Sequence, residues 1–340
     1  MKESLVDVRH LTVHLSMAQA DVTLVEDVSF SVAPGEVLCV VGESGCGKTV
    51  TARSIIGLNR HNPNFRLDGE ILFDGRDLMQ LGDAEMRKVR GASIAMIFQD
   101  PMSSLNPLHR IGRQIGEALR LHTDLSRGAI RQRTLDLLKQ VGIPNPQVRI
   151  DDYPHQFSGG MRQRAMIALA LACSPKLLIA DEPTTALDVT TQKQILTLLA
   201  RLKDEYGMAL ILITHDLGIV AEIADRVMVM YAGQCVEIGE VRSVFRSPQH
   251  PYTAGLLASM PAANRARSTR LPSIRGTPPV LALGRATGCA FLPRCDFAFE
   301  RCRSAPSLEG KVADVGHLDR CWLPTGVEAA RRGAAPGIAP

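Results

Sequence analysis

From residue 1 to about 245, short apolar runs alternate with longer segments of helical period. That alternation predicts an α/β fold in which helices cover a mainly parallel sheet. Val6 to Val13 and Val22 to Val32 carry β-branched residues in near alternation, which adds an antiparallel sheet beside the main one. Between Pro101 and Ala172 strand signals fade, and apolar positions such as Ile130, Leu137, Leu138 and Val141 recur at helical spacing. This predicts a helical subdomain over about 101–172, inserted in the core. After Arg246 prolines recur at 248, 251, 261, 272, 278 and 279 and long periodic stretches disappear, so a second module is expected over 246–330. The basic run 264–270 reads as a solvated linker, and residues 331–340, rich in Gly, Ala and Pro, as a disordered tail.

Composition narrows the class. The 340 residues are 45% hydrophobic and 22% charged, which excludes a disordered polyelectrolyte. The longest apolar stretch, Met166 to Cys173, falls well short of the roughly 18 residues a membrane span requires. The start, Met1-Lys2-Glu3-Ser4, lacks the apolar run of a secretory signal, so the chain is expected in the cytosol and its eight cysteines as thiols or metal ligands. A net charge of +4, with only 4% aromatic residues, gives no case for a nucleic-acid partner.

The strand Glu36 to Val41 runs directly into Gly42-Glu43-Ser44-Gly45-Cys46-Gly47-Lys48-Thr49, with a helical pattern after it. This is the P-loop spacing between its required strand and helix. Its glycines let successive N–H groups turn inward around phosphate oxygens, and the helix N-terminus adds positive potential. The expected phosphate set is Gly42, Ser44, Gly45, Cys46, Gly47, Lys48, Thr49 and Val50, with Lys48 on the β- and γ-phosphates and the Thr49 hydroxyl on Mg²⁺. A glycine-rich turn with a fortuitous lysine is the bland alternative, and the flanking strand and helix disfavour it.

Leu177 to Glu182 is an apolar strand ending in two carboxylates, at the end of the sheet where ligands bind. Asp181 is placed to hold Mg²⁺ and Glu182 to polarise the attacking water. A further buried strand, Ala209 to Thr214, ends in His215, which converges on the same edge toward the γ-phosphate. Ser158, Gly159 and Gly160 precede the apolar helix Met161 to Cys173 and form a helix N-terminus that can cap a phosphate.

Phe157-Ser158-Gly159-Gly160-Met161-Arg162-Gln163-Arg164 resembles the signature motif of ABC ATPases. The resemblance covers about residues 5 to 245. It implies a RecA-like P-loop core and a signature that caps the nucleotide held by a partner's P-loop. Gln99, in Phe98-Gln99-Asp100-Pro101, resembles the glutamine that senses Mg²⁺ and the membrane domain; Asp188, in Ala186-Leu187-Asp188, resembles the D-loop; His215 resembles the switch histidine. Two departures are Met161, where many members carry Gln, and His14-Leu15, where an aromatic residue usually stacks on adenine. Beyond the core, His250 to Leu257 and Gly276-Thr277-Pro278-Pro279 resemble the C-terminal extension of dipeptide, oligopeptide and nickel importers. That narrower resemblance implies an ATPase at the cytoplasmic face of the cell membrane. It would work with a second homologous ATPase, two transmembrane permeases and an extracytoplasmic solute-binding protein.

Cys289, Cys295, Cys302 and Cys321 fall in the spacing C-x5-C-x6-C-x18-C. Four thiolates suit one metal centre, and this spacing is looser than the C-x2-C pairs of zinc ribbons. A [4Fe–4S] cluster takes the same donors, and the importer resemblance favours it over Zn²⁺. Free buried thiols are the competing reading, and Cys39, Cys46 and Cys173, in core elements or the P-loop, are read as packing residues. Two rival functions stay open from the residues alone: a soluble ABC ATPase acting on nucleic acid or ribosomes, and a nucleotide-gated iron–sulfur sensor without transport.

Overall fold

The computed structural model describes residues 4–17, 20–100, 104–185, 187–260, 273–279, 287–311, 316–324 and 326–327. The basic run 264–270 and the tail 331–340 lie outside the described residues. Among those described, no helix is long and apolar enough to cross a membrane.

Two sheets share the core. One is antiparallel, in the order β2-β1-β4-β5, with β1 at Val6–Ser16, β2 at Asp21–Val32, β4 at Phe65–Phe73 and β5 at Arg76–Asp77. The other is built on β3 (Val37–Val41), β6 (Ile94–Ile97), β7 (Leu177–Asp181), β8 (Ala209–Ile213), β9 (Arg226–Tyr231) and β10 (Gln234–Glu240), in the order β10-β9-β3-β8-β7-β6. Strands β9, β3, β8, β7 and β6 run parallel, and β10 returns antiparallel to β9.

The parallel strands are buried on both faces, which is why they read as unbroken apolar runs. Leu38 and Val40 of β3 face the antiparallel sheet, packing with Val13, Val25 and Phe30 and with the P-loop helix α1 (Lys48–Ile55). Val37, Cys39 and Val41 face the opposite helical layer. That layer contains α3 (Ile111–His122), α4 (Arg127–Gln140) and α6 (Gly159–Ala170), with the short helix α5 (Pro146–Arg149) between the last two, whereas α2 (Asp83–Val89) packs Met86 on the antiparallel-sheet side. Ile111, Ile115 and Leu119 repeat every fourth residue on the buried face of α3. Helix α7 (Val189–Tyr206) starts where the Asp188 carboxylate accepts the Thr191 N–H at 2.9 Å and stops at Gly207, whose φ of 62° ends the helix.

The described residues of the extension pack onto the core just outlined. It follows α8 (Leu217–Ile223) and α9 (Val241–Arg246) with α10 (Pro251–Ala258), whose Tyr252 packs with Phe291 into the helical-side core. Two short strands, β11 (Glu309–Gly310) and β12 (Leu318–Asp319), then extend the main sheet beyond β10. Glu237 of β10, fully buried, fastens this junction: its carboxylate accepts the Gln249 and His250 N–H groups at 2.7 and 2.9 Å and pairs with His317 at 2.8 Å. A buried charge needs such partners, so this contact carries specificity as well as adhesion.

Candidate functional site

The P-loop leaves β3 through Gly42, whose φ is +152° and whose missing Cβ would lie 2.2 Å from the Met230 carbonyl oxygen. No other residue fits that approach. Gly47, at φ +101°, caps α1 and directs its first N–H groups back into the loop. Lys48 is 5% exposed, and its Nζ donates to the Gly42 and Glu43 carbonyl oxygens at 2.8 and 3.0 Å. The ammonium thus braces its own loop across the space that phosphates would fill.

Parallel pairing of β3, β8 and β7 brings distant residues to one edge. The Thr49 hydroxyl donates to Asp181 Oδ1 at 3.0 Å. Burial pushes the Asp181 carboxyl above the usual carboxylate range, while the Thr49 hydrogen bond and the charges of Arg53 and Lys48 pull it back. Glu182, one residue past β7, takes φ +46°, with its N–H bonded to the Ile213 carbonyl at 3.0 Å. Strained backbone at a non-glycine residue directs the carboxylate away from the strand and into the cleft. There Oε2 accepts from Gln99 Nε2 at 3.1 Å and from the Thr185 hydroxyl at 3.0 Å, and lies 3.8 Å from His215 Nδ1. The cleft has a volume of about 520 Å³, lined by Leu24, Gly42 to Gly45, Gly47 to Val50, Gln99, Glu182 and His215, whereas the Cys46 side chain is buried in the core.

Ser158, Gly159, Gly160 and Asp188 do not line this cleft. Ser158 caps α6, its Oγ accepting the Met161 N–H at 3.3 Å, and Ser158 and Gly159 are exposed. Asp188 is exposed, and its hydrogen bonds from Thr191 hold its carboxyl below the usual range. His14 does not reach the cleft: it bonds the Thr23 hydroxyl at 3.1 Å and lies 3.5 Å from Asp68, leaving Leu24 as the apolar wall.

All four extension cysteines are free thiols, with Cys302 and Cys321 buried and Cys289 and Cys295 half-buried. Burial, with repulsion from the other thiols, pushes Cys295 up to about 12 and Cys321 to about 11. Cys321 Sγ accepts the Leu323 N–H at 3.5 Å, and the nearby backbone N–H groups of Phe291 and Phe297 pull the Cys289 and Cys295 thiols back toward their ordinary range. Among the described residues, no three His, Cys, Asp or Glu side chains converge to hold a single metal ion. The side-chain geometry of the described residues therefore shows no metal site of either kind, zinc or iron–sulfur.

Comparison with known proteins decides the family. Residues 25–185 match the ABC transporter model and residues 236–302 the model for the C-terminal region of oligopeptide/dipeptide transporters. A probable peptide ABC transporter ATP-binding protein of Sinorhizobium fredii is 50% identical over 318 residues, covering 94% of each chain. The chain belongs to the ABC transporter ATP-binding proteins. The dipeptide transport ATP-binding protein of Escherichia coli K12 is 48% identical, covering 94% of this chain and 97% of the relative. Among solved structures, the dimeric ATP-binding cassette MJ0796 bound to ADP and Pi superposes with a TM-score of 0.63 at 28% identity, covering 70% of this chain and 99% of that one. This ATPase therefore has the P-loop cassette fold expected from its motifs, and its reaction is ATP hydrolysis.

Sequence reasoning missed the supports around these groups. Thr185 carried no motif of its own, although it bonds Glu182. Leu24 lay in a strand read for its period alone. Glu43 carries no role in the expected phosphate set, yet its carboxylate pairs with Arg294 of the extension.

Proposed function

We propose that this ATPase energises import of dipeptides or oligopeptides, working at the cytoplasmic face of the inner membrane. The observation that carries the reading is a P-loop cleft and an oligopeptide/dipeptide-transporter extension in one chain, along a match to peptide importers that spans nearly its whole length. The partners are a second, homologous ATPase subunit, two transmembrane permeases and an extracytoplasmic solute-binding protein. The position of Ser158, Gly159 and Gly160 outside their own cleft supports the pairing, because those groups can meet a nucleotide only on another subunit. Asp188, exposed beside them, belongs to the same face.

In the hydrolytic step the loop N–H groups from Gly42 to Val50 and the Lys48 ammonium hold the phosphates. Thr49, Asp181 and Gln99 are the residues that would hold Mg²⁺, which when bound neutralises charge on the β- and γ-oxygens. The donor set is oxygen-rich and charged, as that ion prefers. Glu182 takes the proton from the attacking water, and His215, whose Nδ1 lies 3.8 Å from Glu182 Oε2, contacts the γ-phosphate. Expulsion of the split phosphate releases the clamp between subunits, and the permeases rock with it.

In this reading the four extension thiols, Cys289, Cys295, Cys302 and Cys321, would hold a [4Fe–4S] cluster. Their donor chemistry supports it: four reduced thiols in one module, with the Leu323 N–H bonded to the Cys321 sulfur. Anaerobically purified protein is expected to contain iron, and a preparation with neither iron nor zinc removes the centre.

The function is tested by tagging the chain in its native host, solubilising membranes in mild detergent and identifying what co-purifies. Two multi-span proteins and a second ATPase are expected. Recovery with ribosomes or nucleic acid, and nothing from the membrane, transfers the chain to the soluble ATPases.

A further inference from the structure

The extension reaches back to the phosphate loop of its own chain. Arg294, in the turn Leu292–Arg294 between Cys289 and Cys295, places Nη1 2.7 Å from Glu43 Oε2 and Nη2 3.0 Å from Glu43 Oε1. The Arg294 side chain is 5% exposed and that of Glu43 25%. The guanidinium is otherwise fully engaged: Nε donates to the Arg275 carbonyl at 2.7 Å, Nη2 to the Gly276 carbonyl at 3.4 Å and Nη1 to the Tyr231 hydroxyl at 3.4 Å. A second arm of the extension holds the backbone of the same residue, since the Glu43 N–H donates to the Tyr252 hydroxyl at 2.9 Å. The Glu43 carbonyl oxygen in turn accepts from Lys48 Nζ. Arg294, Glu43 and Lys48 form one connected line from the cysteine module to the phosphate-binding ammonium.

We propose that Arg294 is a positioning residue for ATP: by clamping Glu43 it holds the phosphate loop in its anion-receiving shape, so the extension sets this chain's own nucleotide affinity. Arg294 does not line the cleft, so its effect passes through Glu43 and not through phosphate contact. A two-point guanidinium–carboxylate pair fixes orientation as well as distance. With its cation almost fully buried, the pair is shielded from the solvent screening that weakens surface ion pairs. The proposal rests on the ATP site described above and is independent of what the cysteines hold.

Charge and position make opposite predictions for Glu43. Removing an acid beside a polyanionic ligand tightens binding if charge alone matters, whereas removing the handle of the loop loosens it. The test is an equilibrium titration of the full-length chain with a fluorescent ATP analogue. Arg294→Ala and Glu43→Ala are each expected to raise Kd about tenfold, within the usual range for coupled sites. Arg294→Lys falls between, because an ammonium keeps the charge and loses the two-point geometry. The double variant binds no more weakly than the worse single one, as expected of a shared interaction. Unchanged or tighter binding in Glu43→Ala overturns the proposal, as does simple addition of the two single effects. Should Arg294→Ala fail to fold, Glu43→Ala and Arg294→Lys still decide it. Lys48→Ala is the control for the site itself: loss of binding there with none in Glu43→Ala rejects the clamp and leaves the ATP site standing.

Discussion

Replacing Glu182 by Gln is expected to lower ATP turnover by at least about a hundredfold, the span that a positioned general base contributes. The substitution is nearly isosteric, and the geometry around it is retained. The Glu182 N–H remains on the Ile213 carbonyl, and the side-chain oxygen still accepts from the Thr185 hydroxyl. What disappears is basicity, because an amide cannot take the proton from water. ATP affinity is expected to survive, since Lys48, Thr49 and the loop N–H groups are untouched. With ATP bound and unhydrolysed, the paired subunits remain closed. Phosphate release by the purified complex measures the first effect, and nucleotide retained after gel filtration measures the second. Turnover at the normal rate would remove Glu182 from the role of base.

Lys48→Ala is the second large effect, and it falls on binding. Lys48 is buried, and its ammonium spans the loop between the Gly42 and Glu43 carbonyls. Its removal deletes a preorganised charge from the point where β- and γ-phosphates gather, with a loss of about 10²–10³ expected by analogy with other preorganised donors. Loop shape suffers at the same time, because those two carbonyls lose their donor. Nucleotide titration of the full chain distinguishes this variant from Glu182→Gln, which binds and does not turn over. Retained affinity in Lys48→Ala would mean that the loop N–H groups suffice without the ammonium.

The chemistry was legible because it sits where local patterns end. Strand β7 stops at Asp181 and Glu182, strand β8 stops just before His215, and the P-loop lies between β3 and α1, so each motif marks a strand terminus. A parallel sheet aligns those termini along one edge, which is why reading three separate stretches anticipated one cleft. The signature segment was equally legible as a helix start, since Ser158 needs only its own next turn to cap.

The supports were not legible, for a physical reason. Thr185 and Leu24 look like any other residues in their segments, and their value comes from what the fold sets against them. Arg294 meets Glu43 across 251 positions of sequence, with no period or spacing to announce the contact. The composition change near residue 246 marks where the extension begins, but nothing in it announces that Tyr252 and Phe291 pack into the core of the preceding segment or that β12 pairs with β10. Local sequence alone determined the P-loop, the carboxylate pair, the helix caps and the α/β class, because backbone preferences and apolar period act over a few neighbouring residues. The tertiary structure alone decided which acid of the loop meets the extension, that Leu24 lines the cleft where His14 does not, and that the extension contacts the phosphate loop. Those outcomes depend on long-range packing and on hydrogen-bond partners brought together only when the sheets close.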